Sequence, residues 1–305
     1  MRRMASIALT LAAFVVGVAW CASTAAFAKD LKVLSEQTVT GFKFPESVGC
    51  DPQGKALYAS EFGSELKAAE KDGKGRISKL SLDGKVVEQQ FLPGPGDVLN
   101  KPKGNWIRGN RLWVTDIDVV WVFDLKTKKG RKLALPEAQF ANDLAVQGNA
   151  LYVSDNRADR LYRVEPADFL NAKSDPKVTT VFAGKGVNPN GVYPAHDGTL
   201  FMVGFVSDKE PRGIFALERG GEVKQLTKEP IGRLDGLYQT KDGTLIVTDW
   251  NSGSVFSWSD KDGMKTLAKD FKGPADLCAY PSPKGLTVVV PDLVKSEIRI
   301  IQLGQ

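Results

Sequence analysis

Six short β-rich segments recur along the chain: LYASE at 57–61, LWVTD at 112–116, LYVSD at 151–155, LFMVG at 200–204, LIVTD at 245–249 and LTVVV at 286–290. Their starts lie 55, 39, 49, 45 and 41 residues apart. Each is followed by a second strand-like run: ISKLSL, VVWVFDL, RLYRVEP, GIFALER, SVFSWSD and EIRIIQL. Several of these runs alternate large apolar and polar residues, as half-buried strands require. Asp-Gly pairs at 72–73, 83–84, 197–198, 242–243 and 262–263 supply hairpin turns between them. No useful window shows a helical period. Repeats of this length with several strands per unit are the signature of propeller blades.

The fold expected is therefore all-β, a six-bladed β-propeller with four-stranded blades. The last unit ends at Gln305 after its third strand, while a spare strand, KVLSEQTV, sits at 32–39. That strand is expected to complete the sixth blade, closing the ring and hiding an edge that would otherwise invite aggregation.

Just upstream of each core, the units open with PES (Glu46), PKG (Lys103), AND (Asn142), PNG (Asn190), LDG (Asp235) and PAD (Asp276). These residues precede their cores by 11, 9, 9, 10, 10 and 10 positions. Such constancy reads as structural equivalence: six side chains in a ring where the innermost strands enter the central channel. Glu46, Asn142, Asn190 and Asp235 offer only hard oxygen ligands, two charged and two neutral. Calcium accepts that mixture, whereas zinc would ask for His or Cys. A polar channel filled with water is the simpler alternative.

The motifs PES, FAND, PNG, LDG, TDW and PAD, in that order over nearly all of 40–303, resemble those of the regucalcin (senescence marker protein)–gluconolactonase family, with paraoxonases as more distant relatives. The resemblance implies a divalent metal, commonly calcium, held in the channel by Glu46, Asn190 and Asp235. Asn142 would join it or contact substrate. It also implies hydrolysis of lactones or related esters. On that basis Asp235 is expected to orient or deprotonate the attacking water, with the metal as Lewis acid. Lys103 departs from the pattern, since paraoxonases tend to place His there; it would bind an anionic substrate or pair with Asp276. Catalytic roles are thus expected at Asp235, Lys103 and Asp276.

The only histidine is His196, beside a hairpin turn and at the far end of its strand from Asn190. Its position excludes a Ser-His-Asp, Cys-His or His-dyad mechanism at the ring. Loops after the cores return to the ring face, so Phe62, Ile117, Asn156, Phe205, Trp250 and Leu293 are expected to wall a small-molecule pocket. Asp116, Asp155 and Asp249, which end three cores, are read as binding loop amides rather than metal.

Residues 1–28 read as a signal peptide: Arg2 and Arg3, an uncharged apolar stretch from Ala5 to Ala22, then Ala26-Phe27-Ala28. Cleavage after Ala28 would leave 29–305 as one domain, periplasmic or secreted, with no stable membrane anchor; Cys21 would leave with the leader. Losing two arginines lowers the net charge from +5 to +3, and the lysines are dispersed, so nothing asks for nucleic acid. An oxidising compartment permits a bridge between Cys50 and Cys278, although spacing alone does not pair them. Two functions fit: a metal-dependent hydrolase of a lactone or small ester, or a non-catalytic propeller whose structural metal supports binding of a sugar, peptide or protein.

Overall fold

The computed structural model describes residues 31–195 and 197–304. The leader assigned to 1–28, its cut after Ala28, and His196 lie outside the described residues. The described chain forms six four-stranded antiparallel sheets, with no helix among them. Five blades run in sequence order. Their first strands, Pro45–Asp51, Pro102–Arg108, Ala141–Gln147, Pro189–Pro194 and Leu234–Gln239, pack against one another around the axis, and Cys278–Ser282 completes the inner ring.

The sixth blade is composite. Its outer strand is Lys32–Thr40, paired antiparallel to Glu297–Gly304 in the register Val39↔Ile298 and Gln37↔Ile300. The expected closing strand thus does close the ring, and the six-bladed all-β fold stands.

Alternation along the second strands explains why the cores read as apolar throughout. In Ala56–Glu61, Ala56 and Tyr58 pack toward the second blade with Leu112 and Val114, whereas Leu57 and Ala59 pack toward the sixth with Val289 and Ile300. A strand buried on both faces has no solvent side to be polar. Six apolar clusters result, one at each blade-to-blade interface. A seventh, of Phe62, Ala275 and Leu293, lies under the channel mouth.

Cys50 and Cys278 are disulfide-bonded across 228 residues, joining the innermost strands of the first and sixth blades with Cα atoms 5.8 Å apart. This is the blade pair where the chain's two ends meet, so the bond locks the seam that the composite blade closes. By the chain-entropy argument a loop this long gives up to about 5 kcal/mol. The Cys50→Ser, Cys278→Ser double variant is expected to unfold at a clearly lower denaturant midpoint. An unchanged midpoint would show that strand pairing alone holds the seam.

Candidate functional site at the channel mouth

Each of the first five inner strands begins with a register irregularity: between Pro45 and Ser47, Pro102 and Asn105, Ala141 and Leu144, Pro189 and Val192, and Leu234 and Leu237. Glu46, Lys103, Asn142, Asn190 and Asp235 sit inside those gaps. A bulge breaks the two-residue alternation and re-aims the side chain it carries, which is how equivalent positions come to face the axis. Lys103, Asn190 and Asp235 are each followed by a glycine, which close approach of the next blade requires. A Cβ on Gly191 would lie 2.1 Å from the carbonyl oxygen of Asp235, and one on Gly236 2.4 Å from the amide nitrogen of Leu277. Hydroxyls of the second strands then fix the neighbouring blade. Thr115 donates to the carbonyl of Asn142, Ser154 to that of Asn190 at 2.6 Å, and Thr248 to that of Ala275 at 2.8 Å.

The mouth opens into a cavity of about 410 Å³, within the range typical of small-ligand sites. Glu46, Asn142, Asn190 and Asp235 line its floor, and Phe62, Asn156, Phe205, Trp250 and Leu293 are among its walls. Ile117 is not. It is buried, takes a left-handed φ of 59°, and accepts the Ala141 amide through its carbonyl at 2.7 Å, so it shapes the turn before Asn142 rather than the cavity. Phe140, Arg157 and Asn188 also line the cavity and were not singled out by the repeat. Phe140 and Arg157 flank two residues that were, at offsets of two and one, and the repeat alignment does not extend to such neighbours.

Three floor oxygens are buried without a hydrogen-bond partner: Glu46 Oε2, Asn190 Oδ1 and Asp235 Oδ1. Asn156 Oδ1, in the wall, is a fourth. Orphaned buried acceptors are costly and call for an explanation. Asp235 is held from its other side, where Oδ2 accepts the indole N–H of Trp250 at 2.8 Å. No set of three or more His, Cys, Asp or Glu side chains suited to a metal occurs among the described residues. The ring draws instead on two carboxylates and neutral amides, a donor set that suits a hard cation.

Burial pushes the Glu46 carboxyl well above its ordinary value; Asp235 adds to the rise and the Lys103 ammonium opposes it. Asp235 is raised to about 8, by burial first and then by Asp276, against the hydrogen bond from Trp250. Lys103 is lowered to about 8, chiefly because it is desolvated, although Glu46 and Asp116 favour its charge. Burial thus disfavours the ionised form of both floor carboxylates, and Lys103 offsets this only in part at Glu46.

The other two predicted ring residues are placed differently. Lys103 is fully buried and does not line the cavity. Its Nζ donates to the Lys101 carbonyl at 3.2 Å and lies 4.2 Å from the centre of the Phe140 ring; no ion pair joins it to Asp276. The sixth blade carries the same irregularity, between the bridge Pro274↔Asp292 and the pair Cys278↔Val289. The residue directly after the bridge is Ala275, however, so Asp276 stands one place past the ring position, where Asp143 stands in the third blade. It faces a second cavity, of about 180 Å³, deeper along the axis with Asn105, Asp143 and Tyr193. There it accepts from Ser47 Oγ at 2.7 Å and is raised to about 6 by burial. Asp143, beside Asn142 in the FAND motif, is buried in the same place and raised by desolvation and by Asp276; the repeat alignment passed over it because its blade contributes Asn142 instead.

Asp116, Asp155 and Asp249 do bind loop amides. Asp116 accepts from Asn100 and Lys101, each at 2.8 Å; Asp155 from Gln139 at 2.7 Å and Phe140 at 3.1 Å; Asp249 from Arg233 and Asn251, each at 3.0 Å. Asp292 does the same for Lys272 and Gly273 at 2.8 and 3.1 Å. Each carboxylate ties the end of a second strand to the segment that leads into the inner strand, immediately before the ring residue.

No family model matches the chain, and no curated protein matches it. Solved structures do. A gluconolactonase from Xanthomonas campestris superposes with a TM-score of 0.64 at 15% identity, over 89% of this chain and 91% of that one. A putative gluconolactonase gives 0.65 at 15% identity, over 90% and 94%. Virginiamycin B lyase from Staphylococcus aureus gives 0.61 at 15% identity, over 90% and 99%. The chain shares their propeller fold. At this identity the likeness speaks for architecture alone, and it agrees with the fold implied by the gluconolactonase-like motifs.

Proposed function

We propose that the protein is a metal-dependent hydrolase of a lactone or small ester, working at the channel mouth after export. The observation that carries this reading is the convergence of three unpartnered buried oxygens, from Glu46, Asn190 and Asp235, on the floor of one open cavity. A divalent cation, calcium by donor type, fits that floor, with Asn142 as a further oxygen donor; when bound it supplies Lewis-acid polarisation of a carbonyl. The gluconolactonases of the same fold lend the reaction class. The bond between Cys50 and Cys278 is in keeping with an oxidising compartment.

Asp235 does the proton work. Its Oδ2 is anchored by Trp250, so Oδ1 has a fixed aim into the cavity. That oxygen takes a proton from water as the water's oxygen bonds to the carbonyl carbon, and it returns the proton to the ring or ester oxygen as that bond breaks. Glu46 and Asn190 set the position of the cation, and the aromatic walls exclude bulk water. Lys103 acts from beneath the floor, as positive charge close to Glu46.

A screen of aldonolactones and aromatic esters, with and without chelator, tests the reading. Turnover is expected to vanish with chelator, to return with added calcium, and to be lost in Glu46→Gln. Activity indifferent to chelator and to Glu46→Gln would sink it. Running the active substrate in ¹⁸O-labelled water settles the reaction type: hydrolysis puts one labelled oxygen into the product acid, and elimination puts in none.

A further inference from the structure

Arg157 lines the cavity yet belongs to no part of the machinery above. It follows Asn156 in the loop that leaves the third blade's second strand. Its guanidinium carbon lies 3.9 Å from the centre of the Phe140 ring, which itself lines the cavity. Stacked in that way, a guanidinium is held flat while its N–H edge stays free for a ligand. Among the described residues no carboxylate lies within ion-pair distance of it. The two nearest in sequence are both occupied, Asp155 by the amides of Gln139, Phe140 and Ala158 and Asp159 by those of Gly186 and Asn188.

Two amides share the wall with Arg157: Asn188 is committed to the Asn156 carbonyl and to Arg212, and Asn156 offers its Oδ1; the remainder is apolar. Phe62, Phe205, Val206, Trp250 and Leu293 surround the opening, with Phe205 and Trp250 in edge contact at 5.8 Å. A polyhydroxylated sugar lactone needs a dense set of hydrogen-bond partners, and these walls offer few. A flat apolar ring finds aromatic faces here, and a carboxylate on that ring finds a pre-oriented fork. Charge points the same way: with a divalent cation on the floor, the two lining carboxylates are balanced and Arg157 leaves the cavity positive.

We infer that Arg157 is a carboxylate-recognition residue, and that the substrate is an aromatic ester or lactone bearing a carboxylate group. The inference rests on the hydrolase reading only for which bond is cleaved; the recognition step stands without it. A charge-assisted, two-pronged contact contributes about 1.5–3 kcal/mol, so its loss is read as roughly a 10- to 100-fold weakening.

The test is equilibrium binding of two probes of the same shape, benzoate and benzamide, by titration calorimetry on the calcium-saturated protein. Benzoate is expected to bind at least tenfold more tightly than benzamide. Arg157→Ala is expected to remove that preference, and Arg157→Lys, which keeps the charge but loses the fork, to retain part of it. No preference in the unmodified protein would overturn the inference. So would a preference unchanged in Arg157→Ala, which would assign the carboxylate to the cation alone. Hydrolysis of phenyl acetate and 4-carboxyphenyl acetate is measured on the same preparation. A protein that cleaves neither ester but still loses its benzoate preference with Arg157 supports the recognition residue and contradicts the hydrolase reading.

Discussion

Replacing Asp235 by asparagine is expected to cut lactone or ester turnover by about 10²- to 10⁴-fold, the range general acid–base groups contribute. The substitution is nearly isosteric. The amide oxygen still accepts the Trp250 N–H, so the side chain keeps its place and the bulge at Leu234–Leu237 keeps its shape. What is lost is the charged oxygen that is now orphaned, and with it a proton acceptor and a cation ligand. The two losses separate in the kinetics. If only proton transfer suffers, kcat falls while calcium affinity holds; if ligation suffers, raising calcium restores part of the rate. A variant with native kcat would remove Asp235 from the mechanism.

The second large effect concerns stability, pH and metal together. In the metal-free protein Glu46 and Asp143 are raised well above ordinary carboxyl values, Asp235 to about 8 and Asp276 to about 6, all primarily by burial. In the unfolded chain such groups ionise near pH 4. Between about pH 4 and pH 8 the folded chain therefore holds protons that the unfolded chain has released. Stability must then fall as pH rises through that window. In chelator, the protein is expected to melt lower at pH 8 than at pH 5. Calcium binds the ionised form, so its stabilisation is largest at pH 8. At a hundredfold excess over Kd it amounts to about 2.7 kcal/mol, or roughly 5 °C in Tm for a chain of this size. Thermal melts at both pH values, with chelator and with calcium, check this. A metal-free Tm flat between pH 5 and pH 8, or a calcium shift equal at both, would contradict it.

The architecture was legible because a propeller repeats its physics. Every second strand needs two buried faces, so its pattern recurs, and the unmatched segment at 32–39 could be assigned to the incomplete last unit. The floor residues were legible for the same reason, since the bulge that re-aims Glu46, Asn142, Asn190 and Asp235 recurs 9 to 11 residues before each core. The same alignment misplaced Asp276. The sixth blade has the bulge too, between Pro274 and Cys278, but Ala275 holds the ring position there, and a spacing of 10 from the core lands one residue past it, where the side chain points deeper into the channel. Ile117 was misjudged on similar grounds: it stands first after its core like Phe62 and Asn156, but its left-handed backbone turns it inward. Arg157 and Asp143 were out of reach, because what marks them is not a repeat but a neighbour: the ring of Phe140 for one, the carboxylate of Asp276 for the other. The disulfide was out of reach as well, since Cys50 and Cys278 become close only when the first and sixth blades meet.

The claim on which most depends is that the orphaned oxygens of Glu46, Asn190 and Asp235 form one cation site. Calorimetric titration of chelator-treated protein with calcium at pH 7.5 addresses it directly. The expected result is one ion bound per chain in the unmodified protein and none, at the same concentrations, in Glu46→Gln. Absence of calcium binding in the unmodified protein, or binding that survives Glu46→Gln with unchanged affinity, would contradict it.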